Sequence, residues 1–196
     1  MTVGKSFVHF VLHSLNLTAA QTQTTAAERE CLGRFARGRS RLAEIGVYEG
    51  AGTRVLADAA APDGRVFAID PYIPGPLGIC WTRPVALREI AKSAGAKKVE
   101  FVRMFSFDAA AKVQGPLDFV FVDGDHSLGG IARDWRDWSE KIVAGGIIAL
   151  HDTRIPDHDP SVASLGSHQY FESEIRHDPR FALVEQVDSL SVLQRL

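Results

Sequence analysis

Leu42-Ala-Glu-Ile-Gly-Val-Tyr-Glu-Gly-Ala-Gly-Thr53 decides the fold. It reads as a short apolar strand, a glycine-rich turn and a helix that starts at Thr53. Gly46, Gly50 and Gly52 allow a sharp turn and leave the backbone bare toward a ligand. Such a unit presents N–H groups and the positive end of a helix to whatever binds there, so a nucleotide-like ligand is the natural occupant. The dinucleotide fingerprint G-x-G-x-x-G is absent. Glu44, just before the turn, would repel a pyrophosphate, so a ligand with an amino group or a positive charge fits better.

Around this unit the chain alternates. Arg41–Ile45, Arg65–Ile69, Lys98–Arg103, Leu117–Val122 and Ile147–Leu150 read as strands, separated by helical stretches. Thr25-Ala-Ala-Glu28 matches a capping box and opens a helix to about Gly38. Pro84 to Ser93 reads as another helix, Ser106 as the cap of a short one through Lys112, and Ser167 as the cap of one to about His177. Leu128, Ile131, Trp135, Trp138 and Ile142 share a helical face that Gly145-Gly146 ends. Phe181–Val187 and Ser191–Leu196 read as a closing antiparallel pair. The pattern is α/β: a doubly wound, mostly parallel sheet with helices on both faces, whose ligands bind at the carboxyl ends of the strands. Glu44, Asp70, Asp123, His151 and Asp152 all fall at such ends.

Composition bounds the rest. The chain has 196 residues and a net charge of −2, one domain's worth with no general pull toward nucleic acid or an anionic membrane. No apolar run is long enough to span a bilayer, and Cys31 and Cys80 make no disulfide framework, so a cytoplasmic setting is expected. Residues 1–24 form an N-terminal helical extension to a domain at 25–196. Its stripe of Val8, Leu12 and Leu15 reads as a helix packed on its own domain or as a dimer contact, a homodimer being the expected assembly. Gln21-Thr-Gln-Thr-Thr25 reads as polar linker. The loop from Pro71 to Pro84, with Pro74, Gly75, Pro76 and Gly78, resembles a lid, and its Tyr72 and Trp81 are candidates for an acceptor pocket.

Glu44-Ile-Gly-Val-Tyr-Glu-Gly50, Asp70, Phe-Val-Asp-Gly-Asp-His126 and Gly-Gly-Ile-Ile-Ala-Leu-His-Asp-Thr153 together resemble the class I S-adenosylmethionine-dependent methyltransferases. The sequence is most similar to the small metal-dependent O-methyltransferases, of the catechol and caffeoyl-CoA type and of the macrolide and aminocoumarin sugar type. The resemblance implies a Rossmann-like, seven-stranded sheet with an antiparallel last strand. It places Glu44, Gly46, Tyr48 and Gly50 about the methionine part of S-adenosylmethionine, Asp70 on the ribose and Ser106 on the adenine. It implies that Asp123, beside the cofactor, holds a divalent metal, Mg²⁺ or Mn²⁺, with His151 and Asp152, and that His126 or, alternatively, Asp125 is the general base. His151 departs from the pattern, since most such relatives carry Asp or Glu there. Imidazole is a softer ligand, which points toward a transition ion or no ion. The implied acceptor is a small hydroxylated molecule, a sugar or glycoside ahead of a catechol or phenol.

Blander readings stand beside these. Asp123 could cap the next helix, Asp152 could form a turn, and His126 could brace its loop. Asp157, His158 and Asp159 read as a solvated loop, Trp135 and Trp138 as core, and His168 and Tyr170 as marginal acceptor contacts. The rival functions are a nicotinamide-dependent oxidoreductase and a non-catalytic cofactor-binding module.

Overall fold

Each apolar run that ends in glycine or an acid becomes a strand of one sheet. The structure, a computed structural model, describes residues 3–75 and 78–196, with side chains from 6 onward. Pro76 of the expected lid lies outside them. The strands are β1 (Arg41–Ile45), β2 (Arg65–Ile69), β3 (Val99–Val102), β4 (Leu117–Val122), β5 (Ile142–Leu150), β6 (Phe181–Val187) and β7 (Leu190–Arg195). Their order is β3-β2-β1-β4-β5-β7-β6. β1 to β5 are parallel; β7 runs against β5, and β6 pairs antiparallel with β7. The doubly wound sheet with its reversed last strand is therefore present.

Alternate residues of each strand feed two layers. Leu42, Phe119, Phe121 and Ile147 pack with Leu32 and Leu56, from α2 (Ala26–Ala36) and α3 (Ala51–Ala59). Ala43, Ile45, Val120 and Ile148 pack against the other layer. That layer comprises α5 (Ser106–Lys112), α6 (Leu128–Ser139) and α7 (Gly166–Ser173). Trp135 and Trp138 are core, as expected, and Trp138 is fully buried. The capping box of α2 is formed in both directions between Thr25 and Glu28. α4 (Thr82–Ala91) follows the proline-rich loop and carries α1 (Val3–Ser14) on its outside.

Several boundaries differ from expectation. α3 begins at Ala51, because Gly50 makes the turn in the left-handed region with φ 85°. The hydroxyl of Thr53 then donates to Glu44. α4 starts at Thr82, two residues before Pro84. Ser106 opens α5 without capping it. Ser167 lies inside the first turn of α7, where its hydroxyl donates to the Asp152 carbonyl. α6 stops at Ser139, and Ile142 begins β5 opposite Leu117. The two glycines lie within β5, Gly145 at φ 75°, beside a register shift.

Candidate active site

Three strand ends meet at Gly46. Its N–H bonds to the Ile69 carbonyl and the Asp123 N–H to the Ile45 carbonyl, joining β1 to β2 and β4. Gly46 has φ 89°, and a Cβ there would stand 1.9 Å from the Asp123 carbonyl oxygen, so only glycine fits. Asp70 braces the loop. One carboxylate oxygen accepts from Val47 and Tyr48 N–H at 3.1 and 3.0 Å, the other from Tyr72 N–H at 2.7 Å. Tyr48 and Tyr72 are both left-handed, at φ 50° and 45°, and those three bonds hold them there.

A cavity of about 860 Å³ opens along this rim. Gly46, Tyr48, Asp70, Ser106, Asp123, Asp125 and His126 all line it. Glu44 lines a small adjoining hollow with Gly46, Tyr48 and Asp123. Burial pushes the Glu44 carboxyl well above its usual range, against the Thr53 bond that favours ionisation. A Cβ on Gly52 would stand 2.1 Å from Glu44 Oε1, so that glycine makes room for the acid. Gly50 lines neither hollow. It packs against Ala86 and Ile90 of α4, and its role is in the turn.

His151 and Asp152 stand behind the cavity wall and close a ring of acids and imidazoles with Asp123 and His126. His151 Nδ1 lies 3.1 Å from Asp123 Oδ1 and 3.4 Å from Asp152 Oδ1. Neither approach has hydrogen-bond alignment, and both are ion-pair contacts. His151 Nε2 faces Glu28 Oε2 at 3.3 Å. His126 Nδ1 is 3.3 Å from Asp152 Oδ2, and its Nε2 is 3.6 Å from Asp123 Oδ1. Burial works against charge on His151, but the carboxylates of Asp123, Asp152 and Glu28 outweigh it and push the imidazole up to about 12. Asp125 turns to its own loop. The Ser127 N–H donates to it at 2.9 Å and holds its carboxyl below the ordinary range.

Other expectations fall elsewhere. Tyr72 lines the cavity, whereas Trp81 packs against Phe7 and Phe10 of α1, at 4.9 and 5.3 Å between ring centres. Asp157, His158 and Asp159 are exposed. His168 bonds to the Thr153 carbonyl at 2.9 Å, and Tyr170 packs on the core. Gln21 to Thr24, read as linker, wall the smaller hollow, and the Tyr48 hydroxyl donates to Gln21 Oε1 at 2.7 Å. Met104, Phe105, Phe107, Arg133 and Asp134 also line the large cavity. Their only local signal is that they follow β3 or lie on the first turns of α6.

Residues 43–153 match the family described as a methyltransferase domain, more than half of the chain, from within β1 to just past His151 and Asp152. The chain belongs to that family. No curated protein matches the methyltransferase. Among solved structures it is similar to an O-methyltransferase from Bacillus cereus in complex with S-adenosylhomocysteine, at 20% identity and a TM-score of 0.68 over 97% of this chain and 91% of that one. It is similar to the O-methyltransferase TomG of Streptomyces achromogenes, solved with S-adenosylmethionine, at 21% identity and 0.66 over 100% and 90%. An rRNA methylase from Streptococcus thermophilus shares the fold at 15% identity and 0.60 over 90% and 99%. At these identities the likeness establishes the fold of the methyltransferase and leaves its acceptor to the site. Among the described residues no helix is long and apolar enough to cross a membrane.

Proposed function

We propose that the protein is an S-adenosylmethionine-dependent O-methyltransferase acting on a hydroxyl of a small acceptor, with a sugar or glycoside the favoured class. Residues 25–196 are the catalytic domain, and residues 1–24 an extension that walls its cavity. The observation that carries the reading is one cavity joining Gly46, Asp70, Asp123 and His126 from three strand ends. A donor laid along it would set its ribose at Asp70, whose carboxylate can take two hydroxyl donors. Its amino group would lie by Glu44 and Asp123, and its sulfonium beside His126. The acceptor oxygen attacks the methyl carbon as the carbon–sulfur bond breaks, the hydroxyl proton passes to the His126 imidazole, and S-adenosylhomocysteine leaves neutral. A positioned base contributes roughly 10²–10⁴-fold. His126 is favoured over Asp125 because Asp125 is committed to Ser127 and weakly basic. The sugar class is supported by the resemblance at Asp123-Gly-Asp-His126.

The divalent ion implied by that resemblance fits poorly. Among the described residues no group of three or more His, Cys, Asp or Glu side chains is arranged to hold one. Asp123, His151 and Asp152 face one another, with His151 Nδ1 3.1 Å from Asp123 and 3.4 Å from Asp152. No step is therefore routed through an ion. Methyl transfer is expected to survive EDTA; its loss, with recovery on adding Mg²⁺ or Mn²⁺, would restore the ion.

Calorimetry with S-adenosylmethionine and S-adenosylhomocysteine tests the donor. Both should bind, and Asp70→Ala should weaken them about 10–100-fold, the worth of charge-assisted hydrogen bonds. NADH binding in their place would overturn the proposal. Binding followed by no turnover across a screen of sugars, glycosides and catechols would reduce the protein to a binding module.

A further inference from the structure

We propose that Asp134 is the specificity residue for the nucleobase: its carboxyl, on the cavity wall between Ser106 and the Asp123-Gly124 turn, accepts the exocyclic amine of adenine. The inference rests on the donor reading above and deepens it.

Ser106, the residue expected to touch adenine, has its hydroxyl committed. It donates to Asp134 Oδ1 and accepts from Trp138 Nε1 at 2.7 Å. A hydroxyl has one proton, so Ser106 has no donor left for a ligand. Asp134 is 4% exposed yet lines the cavity. Its second oxygen lies on the side of the Asp123-Gly124 turn, 3.7 Å from where a Cβ on Gly124 would stand. A buried carboxyl on a cavity wall, held in place from behind by Ser106, is arranged to meet a ligand rather than water.

The wall beside it is bare, and at one position the fold itself gives no reason for that. α6 opens Leu128-Gly129-Gly130, and each glycine costs a helix about 1 kcal/mol relative to alanine. Gly130 has a steric reason, since a Cβ there would stand 2.4 Å from Asp125 Cγ. Gly129 has none: a Cβ would meet nothing within 4 Å. Both line the cavity. Two adjacent helical residues without side chains offer a flat surface for a planar ring. With its ribose on Asp70, the donor would have its base in the part of the cavity lined by Met104, that surface and Asp134. Burial raises the Asp134 carboxyl to about 6, so near neutral pH it is mostly ionised and can only accept. It therefore favours an amine at the purine 6-position and opposes a carbonyl.

The test compares S-adenosylhomocysteine with S-inosylhomocysteine, whose 6-carbonyl replaces the amine, by titration calorimetry on the full chain. Wild type should prefer the adenine compound by at least about tenfold. Asp134→Asn keeps the shape, still accepts from Ser106 and presents an N–H₂ to the cavity, so the preference should fall to near one or reverse. Ser106→Ala should keep it. Equal wild-type affinity for the two compounds overturns the inference with no variant needed, as does a folded Asp134→Asn that discriminates as wild type does. Binding of neither compound overturns the donor reading as well.

Discussion

Glu28 serves two parts of the molecule that the chain separates widely. Oε2 accepts from Thr25 N–H at 2.7 Å, closing the capping box, and faces His151 at 3.3 Å. Oε1 accepts from the N–H and hydroxyl of Ser189, at 2.9 and 2.8 Å. Burial alone would raise this carboxyl, but His151 and the Thr25 N–H lower it from 4.5 to about 2. A folded value below the unfolded one gives stability that is present above pH 4.5 and lost as the pH falls toward 2. Glu28→Gln should lower the free energy of unfolding at pH 7 by on the order of 3 kcal/mol and flatten its dependence between those limits, as urea titrations at several pH values would read. Asp134 has the opposite sign. Its folded value of about 6 exceeds the ordinary 3.8, so stability falls as the pH rises through that window and stays lower above it. Asp134→Asn should thus unfold with a free energy higher than wild type at pH 7.5, by roughly 1–3 kcal/mol in urea titrations. The capping box was legible in Thr25-Ala-Ala-Glu28. The second task of Glu28 was not, because His151 lies 123 residues away and no spacing rule connects them. The same holds for Gln21 against Tyr48.

At the level of elements, the turn after β1 leaves little latitude. Gly46→Ala would add left-handed strain of about 1–2 kcal/mol and drive a methyl into the Asp123 carbonyl. A loss of about 10 °C or more in melting temperature is expected, together with loss of S-adenosylhomocysteine binding. Gly129→Ala should behave in reverse: it gains about 1 kcal/mol of helix propensity in open space but puts a methyl on the cavity wall, so melting rises while donor binding weakens. β1, β2 and β4 were readable to the residue, because each is a short apolar run stopped by glycine, aspartate or a charged residue. The α6–β5 boundary was misread because Gly145-Gly146 carries the same local signal in a helix stop as in a strand bulge. Only the opposite strand decides between them.

At the level of the whole molecule, the cavity lies where the strand order reverses, between β1 and β4, as open α/β sheets dictate. α1 is attached from outside: Phe10 packs on Trp81, and His9 and His13 reach Glu49 and Glu89 at 2.9 and 3.3 Å. The reading of a helix packed on its own domain therefore describes its inner face. Val8 and Leu15, at 54% and 63% exposure, point away from the body. A homodimer through this face remains our proposal. Sedimentation should show a dimer that Val8→Glu with Leu15→Glu converts to a monomer; a wild-type monomer at all concentrations would refute it. The polarity of the sheet was legible from the alternation of elements. The wall contributed by residues 21–24 was not, since a polar stretch reads alike whether it covers a ligand or faces water.

The tip of the β6–β7 hairpin reaches back to the beginning of the chain. Asp188 receives the Thr25 hydroxyl at 2.7 Å, and the Ser189 carbonyl receives the N–H groups of Thr153 and Arg154 at 3.0 and 3.1 Å. A chain that lacks this hairpin tip keeps every acid and imidazole of the site, yet it loses both Ser189 donors to Glu28 and the acceptor of the Thr25 hydroxyl. The backing of the cavity is thus assembled from two distant stretches, and a lesion at either one reaches the donor site without touching it.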